Sequence, residues 1–182
     1  EWYGQDEAKI ISKNTNISPD VKGWPETSWK KYFIKYLVEV DKYFVYPRAS
    51  FSTNFGDKGA HHNDQQWFQV PLVRGSKKWC LKDFEKSTAV YDTYCEITAD
   101  CLNKLQPQLQ EYSYSVDLFG MKSFVSMGSD LILTSKKSLS PVLQWGRELL
   151  PIESNIIEQI PGDDISLTSK KECVDIEDWC AH

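Results

Sequence analysis

Residues 24–62 read WPETSWKKYFIKYLVEVDKYFVYPRASFSTNFGDKGAHH, and the fold turns on how they are divided. Trp29, Tyr32, Phe33, Tyr36, Leu37 and Val40 recur at helical spacing and predict an amphipathic helix. Pro25 or Thr27 can start it, and Lys30, Lys31, Lys35 and Glu39 make its expected solvent face. Asp41-Lys42 then turns the chain into Tyr43-Phe44-Val45-Tyr46, a short aromatic strand stopped by Pro47. Phe51 to Phe55 predicts a second strand, which delivers the loop that follows.

That loop, TNFGDKGAHH at 53–62, carries the densest chemistry in the chain. Gly56 and Gly59 permit backbone conformations closed to other residues and let a ligand approach closely. Asn54, Asp57, Lys58, His61 and His62 supply donors and acceptors. Adjacent histidines on one strand point to opposite sides, so at most one of the two is expected to serve a site. A histidine there can donate to a phosphate or sugar oxygen, or act as a base near neutral pH. A metal site would need a third ligand such as Asp57 or Asp64, and such clusters arise often by chance, so no metal is assigned to this loop.

Composition sets the outer bounds. The 182 residues suit one domain of ordinary size, or a larger lobe with a small appendage. An apolar fraction of 41% supports a true core. A net charge of −5 argues against nucleic acid and anionic membranes as partners, and the Lys pairs are small and scattered. No window reaches the ~18 apolar residues of a membrane helix. The absence of an initiator Met and of a signal peptide leads us to expect a chain that starts mid-protein or has been processed. Cys80, Cys95, Cys101, Cys173 and Cys180 show no metal-ligand spacing, and reduced thiols are expected. Neither GxGxxG, GK[ST], GxSxG nor HExxH occurs.

Around the loop, residues 1–24 read as a loop or short helix with a connector, and WFQVPLV at 67–73 as a connector or edge strand. A second long helix is expected from about Asp83 to Leu105, where Phe84, Thr88, Tyr91, Cys95, Thr98, Leu102 and Leu105 recur every three or four residues before Pro107. Short strands follow at Val116–Phe119, Leu131–Thr134, Val142–Trp145, Ile156–Ile160 and Ile165–Leu167, predicting a small antiparallel sheet. Asp163-Asp164 after Pro161-Gly162 fits a turn, and the charged tail 170–182 fits a short helix.

The run at 24–62 resembles the second half of the catalytic region of bacterial family 2 glycosyltransferases, enzymes of surface-polysaccharide biosynthesis. In these, a helix, a strand bearing Tyr-Pro and a Ser/Thr-Asn loop ending in His follow one another. The resemblance extends to Ala89–Asp92, Tyr114–Gly120 (YSVDLFG), Ser140–Ile157 and Ile160–Ile165. A fainter likeness joins Pro47–His62 to N-acetylglucosaminyltransferase I, whose loop closes over a nucleotide-sugar.

The resemblance implies an α+β chain: the second half of a GT-A-like catalytic lobe over 1–107, with a small strand-rich region over 108–182. It implies transfer of a sugar from a nucleotide-sugar donor to a hydroxyl of a glycan acceptor, with inversion. By position, Asn54, Gly56, Asp57, Gly59 and His61 become the donor-facing loop. A divalent metal, Mn or Mg, is implied for the full-length enzyme, with ligands N-terminal to Glu1, so this chain is expected to be incomplete and inactive alone. The place of the catalytic base falls near Trp29-Lys30-Lys31, which has no carboxylate; Glu26 is the nearest, and the base stays unassigned. The implied location is cytoplasmic, including peripheral attachment at the inner membrane face, and a homo-oligomer is compatible. The rival reading is a non-catalytic carbohydrate-binding or interaction module that uses the abundant aromatics.

Overall fold

The computed structural model describes residues 16–46, 75 and 83–173. By its contacts the chain divides into two compact units, residues 1–41 with 84–182, and residues 42–83. The regular elements described here all belong to the first: α1 (Pro19–Gly23), α2 (Trp29–Glu39), α3 (Ala99–Leu105), β1 (Tyr114–Asp117), β2 (Leu131–Thr134), β3 (Leu143–Trp145), α4 (Ser154–Ile157) and β4 (Ile165–Ser169). Short 3-10 turns punctuate the run, among them Pro107–Glu111 and Phe124–Ser126. Helices with a four-stranded sheet make this an α+β unit.

The strands lie in the order β1-β2-β4-β3. Their register aligns Val116, Leu133, Leu167 and Leu143 in one row across all four strands. That row faces the main core, where Leu102, Leu109, Trp145 and Ile156 pack against it. Each such buried side chain contributes about 1.5–3 kcal/mol. One residue further on, Asp117, Thr134, Ser166 and Gln144 form a polar row on the opposite face. All but Gln144 are buried too, so this sheet has two covered faces of different chemistry.

The sheet is mostly antiparallel, as expected, with one exception. β2 and β3 each pair antiparallel with β4, but β1 pairs parallel with β2. The connection 118–130 is long enough to carry the chain back to the starting end of β1, as a parallel neighbour requires. Gly120, at φ 67, makes the turn out of β1.

The long helix expected at 83–105 is corrected: only Ala99–Leu105 is α-helical. Before it, residues 90–98 form a tight hairpin with Tyr91 bridged to Ile97. Asp92 Oδ1 accepts the Tyr94 and Glu96 N–H groups at 2.8 and 3.1 Å, and the Asp92 N–H donates to the Glu96 carbonyl at 2.9 Å. A short carboxylate that satisfies local N–H groups competes with the helix, and Cys95 closes the turn at φ 59. Val90, Thr93, Ile97 and Thr98 add β-branching that a helix tolerates poorly. Cys95 therefore shares no helix with Cys101, and both are free thiols, as is Cys173.

The strand expected at Ile156–Ile160 is instead the helical turn α4 and its close. Gln159 sits at φ 52, and the Ile160 N–H returns to the Asn155 carbonyl at 2.8 Å, a left-handed helix ending. Tyr43–Tyr46 do not form the expected strand, and all four are exposed. The strand expected at 51–55, the 53–64 loop and the 67–73 segment lie outside the described residues.

The expected helix at 29–40 is present, but turned about its axis. Trp29 is 68% exposed, whereas Lys31 and Lys35, assigned to the wet face, are 5% and 4% exposed. Lys31 Nζ donates to the carbonyls of Lys22 and Trp24, both at 2.9 Å, where α1 ends and leaves carbonyls unsatisfied. Lys35 pairs with Glu39 at 3.3 Å. The two stems lie beside Ile34 and Val38, which pack on Ile17 and Val21 of the α1 region. Trp29, Phe33 and Tyr36 form a row of neighbouring rings on α2, with centroids 6.2 and 6.3 Å apart.

Candidate functional site

The donor-loop residues Asn54, Gly56, Asp57, Gly59 and His61 lie outside the described residues, as does His62. What is described of the run 24–62 ends at residue 46, with α2 and residues 40–46 after it. Glu26, the acidic residue nearest the start of α2, is exposed, and its carbonyl accepts the Tyr32 hydroxyl at 2.7 Å.

The strongest electrostatic feature of the described residues was not foreseen. The Lys122 ammonium lies between the carboxylates of Asp92 and Glu96, donates to the Val116 carbonyl at 2.6 Å, and sits 5.3 Å from the centre of the Tyr94 ring. Glu96 Oε1 accepts the Phe119 N–H at 2.6 Å. Asp117 Oδ1 accepts the Lys122 N–H at 2.8 Å, while its Oδ2, without a hydrogen bond, lies 3.9 Å from Lys136 Nζ. Lys136 in turn stands over the Phe124 ring at 4.5 Å. The side chains of Glu96 and Asp117 are fully buried.

Three carboxylates thus share two ammonium groups, and the titration of the cluster reflects it. Burial pushes the Glu96 carboxyl above its ordinary value, against the pull of Lys122 and the Phe119 N–H. Burial likewise raises Asp117, opposed by the Lys122 N–H and by both lysines. Lys122 is held above its ordinary value by Asp92 and Glu96, which outweigh its burial.

The sign for stability follows. A carboxyl raised by folding stabilises fully below its unfolded value, and that contribution is lost as pH rises through the folded value. Lys122 stabilises below its unfolded value of 10.5 and loses that contribution as pH rises through its raised one. We therefore expect the urea midpoint of the natural chain to fall relative to Glu96→Gln as pH rises from about 4 to about 8. A midpoint rising relative to Glu96→Gln across that window would contradict the assignment.

Chemically the cluster braces the 90–98 hairpin against the end of β1. It does not resemble a metal centre, because the Lys122 ammonium already occupies the space between Asp92 and Glu96. Among the described residues no group of three His, Cys, Asp or Glu side chains could hold a metal ion. Nor is any helix among them long and apolar enough to cross a membrane.

The chain matches no family model, no curated protein and no solved structure. The sequence signal for the brace was present but misread. Asp92 and Glu96, four apart, look like neighbours on a helix face, whereas they are two sides of a hairpin closing on a lysine thirty residues downstream.

Proposed function

We propose that this chain is part of a glycosyltransferase that moves a sugar from a nucleotide-sugar donor to a hydroxyl of a glycan acceptor. The observation that carries the reading is the run 24–62, with its helix, Tyr-Pro segment and TNFGDKGAHH loop in the order of the family 2 enzymes. The helix of that run is α2, Trp29–Glu39.

In this reading Asn54 and His61 hydrogen-bond the donor, and Gly56 and Gly59 let the loop backbone approach it closely. Asp57 belongs to the same loop. The acceptor hydroxyl, giving its proton to a base that stays unassigned, attacks the anomeric carbon in line and inverts it, while the bond from that carbon to the nucleoside diphosphate breaks and the diphosphate leaves. The described residues do not fit the implied Mn or Mg ion, since Glu96 and Asp117 lie against lysines and Glu153 accepts the Tyr91 hydroxyl; the family resemblance puts its ligands in a segment upstream of Glu1. The GT-A lobe would then be completed by those upstream residues.

The test compares the 182-residue chain with a protein extended upstream of Glu1. Calorimetry with uridine diphosphate and Mn²⁺ should show no binding to the chain alone and clear binding to the extended protein. Transfer assays over a panel of nucleotide sugars should show activity only in the extended protein, falling at least about 100-fold in His61→Ala if the histidine moves a proton. Robust transfer by the chain alone would remove the fragment reading. An extended protein that turns over none of the donors would remove the enzyme reading.

A further inference from the structure

A second feature lies beside the sheet edge, where α3 runs past the entry to β1. Ala99, Asp100 and Asn103 from the helix, with Tyr112, Ser113 and Tyr114 leading into the strand, line an open cleft of about 250 Å³. That is about eight waters' share of liquid volume, and less than sites for drug-sized ligands occupy, so it suits a single small ring rather than a whole nucleotide.

The chemistry of the walls narrows the ligand. Tyr114 is buried, and its hydroxyl donates to Asn103 Oδ1 at 2.8 Å, which orients the amide and leaves its N–H₂ end as a donor. Asp100 is exposed and brings two carboxylate acceptors. Ser113 and the half-buried Tyr112 complete a lining that is more polar than apolar. No lysine, arginine or histidine lines the cleft. A carboxylate without a cation repels a diphosphate, so the donor's nucleotide does not belong here. Paired acceptors and an amide donor in a mostly polar lining match a neutral ring bearing adjacent hydroxyls. Hydrogen bonds from such hydroxyls to a carboxylate are charge-assisted and among the stronger neutral-ligand contacts.

We propose that the cleft between α3 and β1 binds one neutral pyranose unit of a glycan, which on the reading of function above is the acceptor. Asp100 accepts from two of its hydroxyls, the Asn103 amide donates to a ring or hydroxyl oxygen, and Tyr112 packs against its C–H face.

The test is an amide-resolved NMR titration of the 182-residue chain with methyl glycosides of glucose, galactose, mannose and N-acetylglucosamine. At least one should move the Asp100, Asn103 and Ser113 signals saturably, and Asp100→Ala should weaken it at least about tenfold. Tyr112→Ala should weaken it as well, with the signals of β2 and β4 unchanged in both variants. If none of the glycosides moves those signals, or if binding survives Asp100→Ala unchanged, the proposal is overturned. The nucleotide and transfer experiments decide the enzymatic reading separately: glycoside binding without any transfer by the extended protein would strike that reading and leave the cleft standing.

Discussion

Lys122→Met should cost about 3–5 kcal/mol of folding free energy, among the largest losses expected from a single replacement in the described residues. Methionine keeps much of the stem but removes the ammonium from between Asp92 and Glu96, and with it the donor to the Val116 carbonyl. The fully buried Glu96 carboxylate would be left with the Phe119 N–H as its remaining contact. An unpaired charge in that position costs several kcal/mol, because taking it out of water is no longer offset by attraction. Adding Glu96→Gln to Lys122→Met should recover a substantial part of the loss, since the double variant removes the charge that the single one strands. Urea unfolding at constant m-value measures both. A loss below about 1 kcal/mol would mean that water reaches these carboxylates and that the brace is a surface ion pair in its energetics.

Asn155→Ala is expected to follow closely, at roughly 3–4 kcal/mol, from the 1–3 kcal/mol attached to each buried polar group left without a partner. The Asn155 side chain is fully buried within the turn that it organises. Its Oδ1 accepts the N–H groups of Glu148 and Leu149 at 2.7 and 2.8 Å, and its Nδ2 donates to the carbonyls of Leu149 and Ile152, both at 2.9 Å. One side chain thereby satisfies four backbone groups that have no ladder to join. Alanine strips the side-chain partner from all four, and only the Ile152 carbonyl keeps another, the backbone N–H of residue 155 at 3.2 Å. Asn155→Asp tests the account further. The carboxylate can keep the two accepted bonds, but it places acceptors against the Leu149 and Ile152 carbonyls, so it too should destabilise. Thermal or urea unfolding of the two variants checks both, and a loss under about 1 kcal/mol for Asn155→Ala would show that water can replace the side chain.

Gly146 and Gly162 show a related dependence on distant chain. A Cβ at Gly162 would meet Gly146 Cα at 2.5 Å, and one at Gly146 would meet the Pro161 carbonyl oxygen at 2.7 Å. The two backbones cross where β3 ends and the approach to β4 begins, and that crossing excludes even a methyl group from either chain.

Where apolar residues alternate over a short run, the sequence is a good guide. Leu131–Thr134 is a strand as read, Val142–Trp145 is trimmed by one residue, and Ile165–Leu167 extends to Ser169. The Val116–Phe119 strand begins two residues earlier, at Tyr114, and stops before the Gly120 turn. Helix α2 also stands, because six apolar residues at helical spacing outweigh any local competitor. The failures are local. At 92–96 the Asp92 carboxylate captures N–H groups that a helix would have used, and periodicity carries no trace of that bond. At 156–160 the backbone N–H groups are spent within the α4 turn and its close, on the carbonyls of residues 153–156. The α3 cleft was equally invisible, since Asp100 and Asn103 acquire a common purpose with Tyr112 and Ser113 only where helix and strand meet.

Composition and spacing alone pointed to a real core, a helix around 29–40 and four strands near their observed places. These rest on local periodicity, which each segment carries by itself. Tertiary structure alone decided which side of α2 is buried, because Lys31 has a use only at the carbonyls that end α1. It decided that β1 runs parallel to β2, since strand direction depends on where the 118–130 connection returns the chain. And it decided that Asp92, Glu96 and Lys122 are partners, because a buried charge is tolerable only beside its opposite, and the chain must fold before they meet.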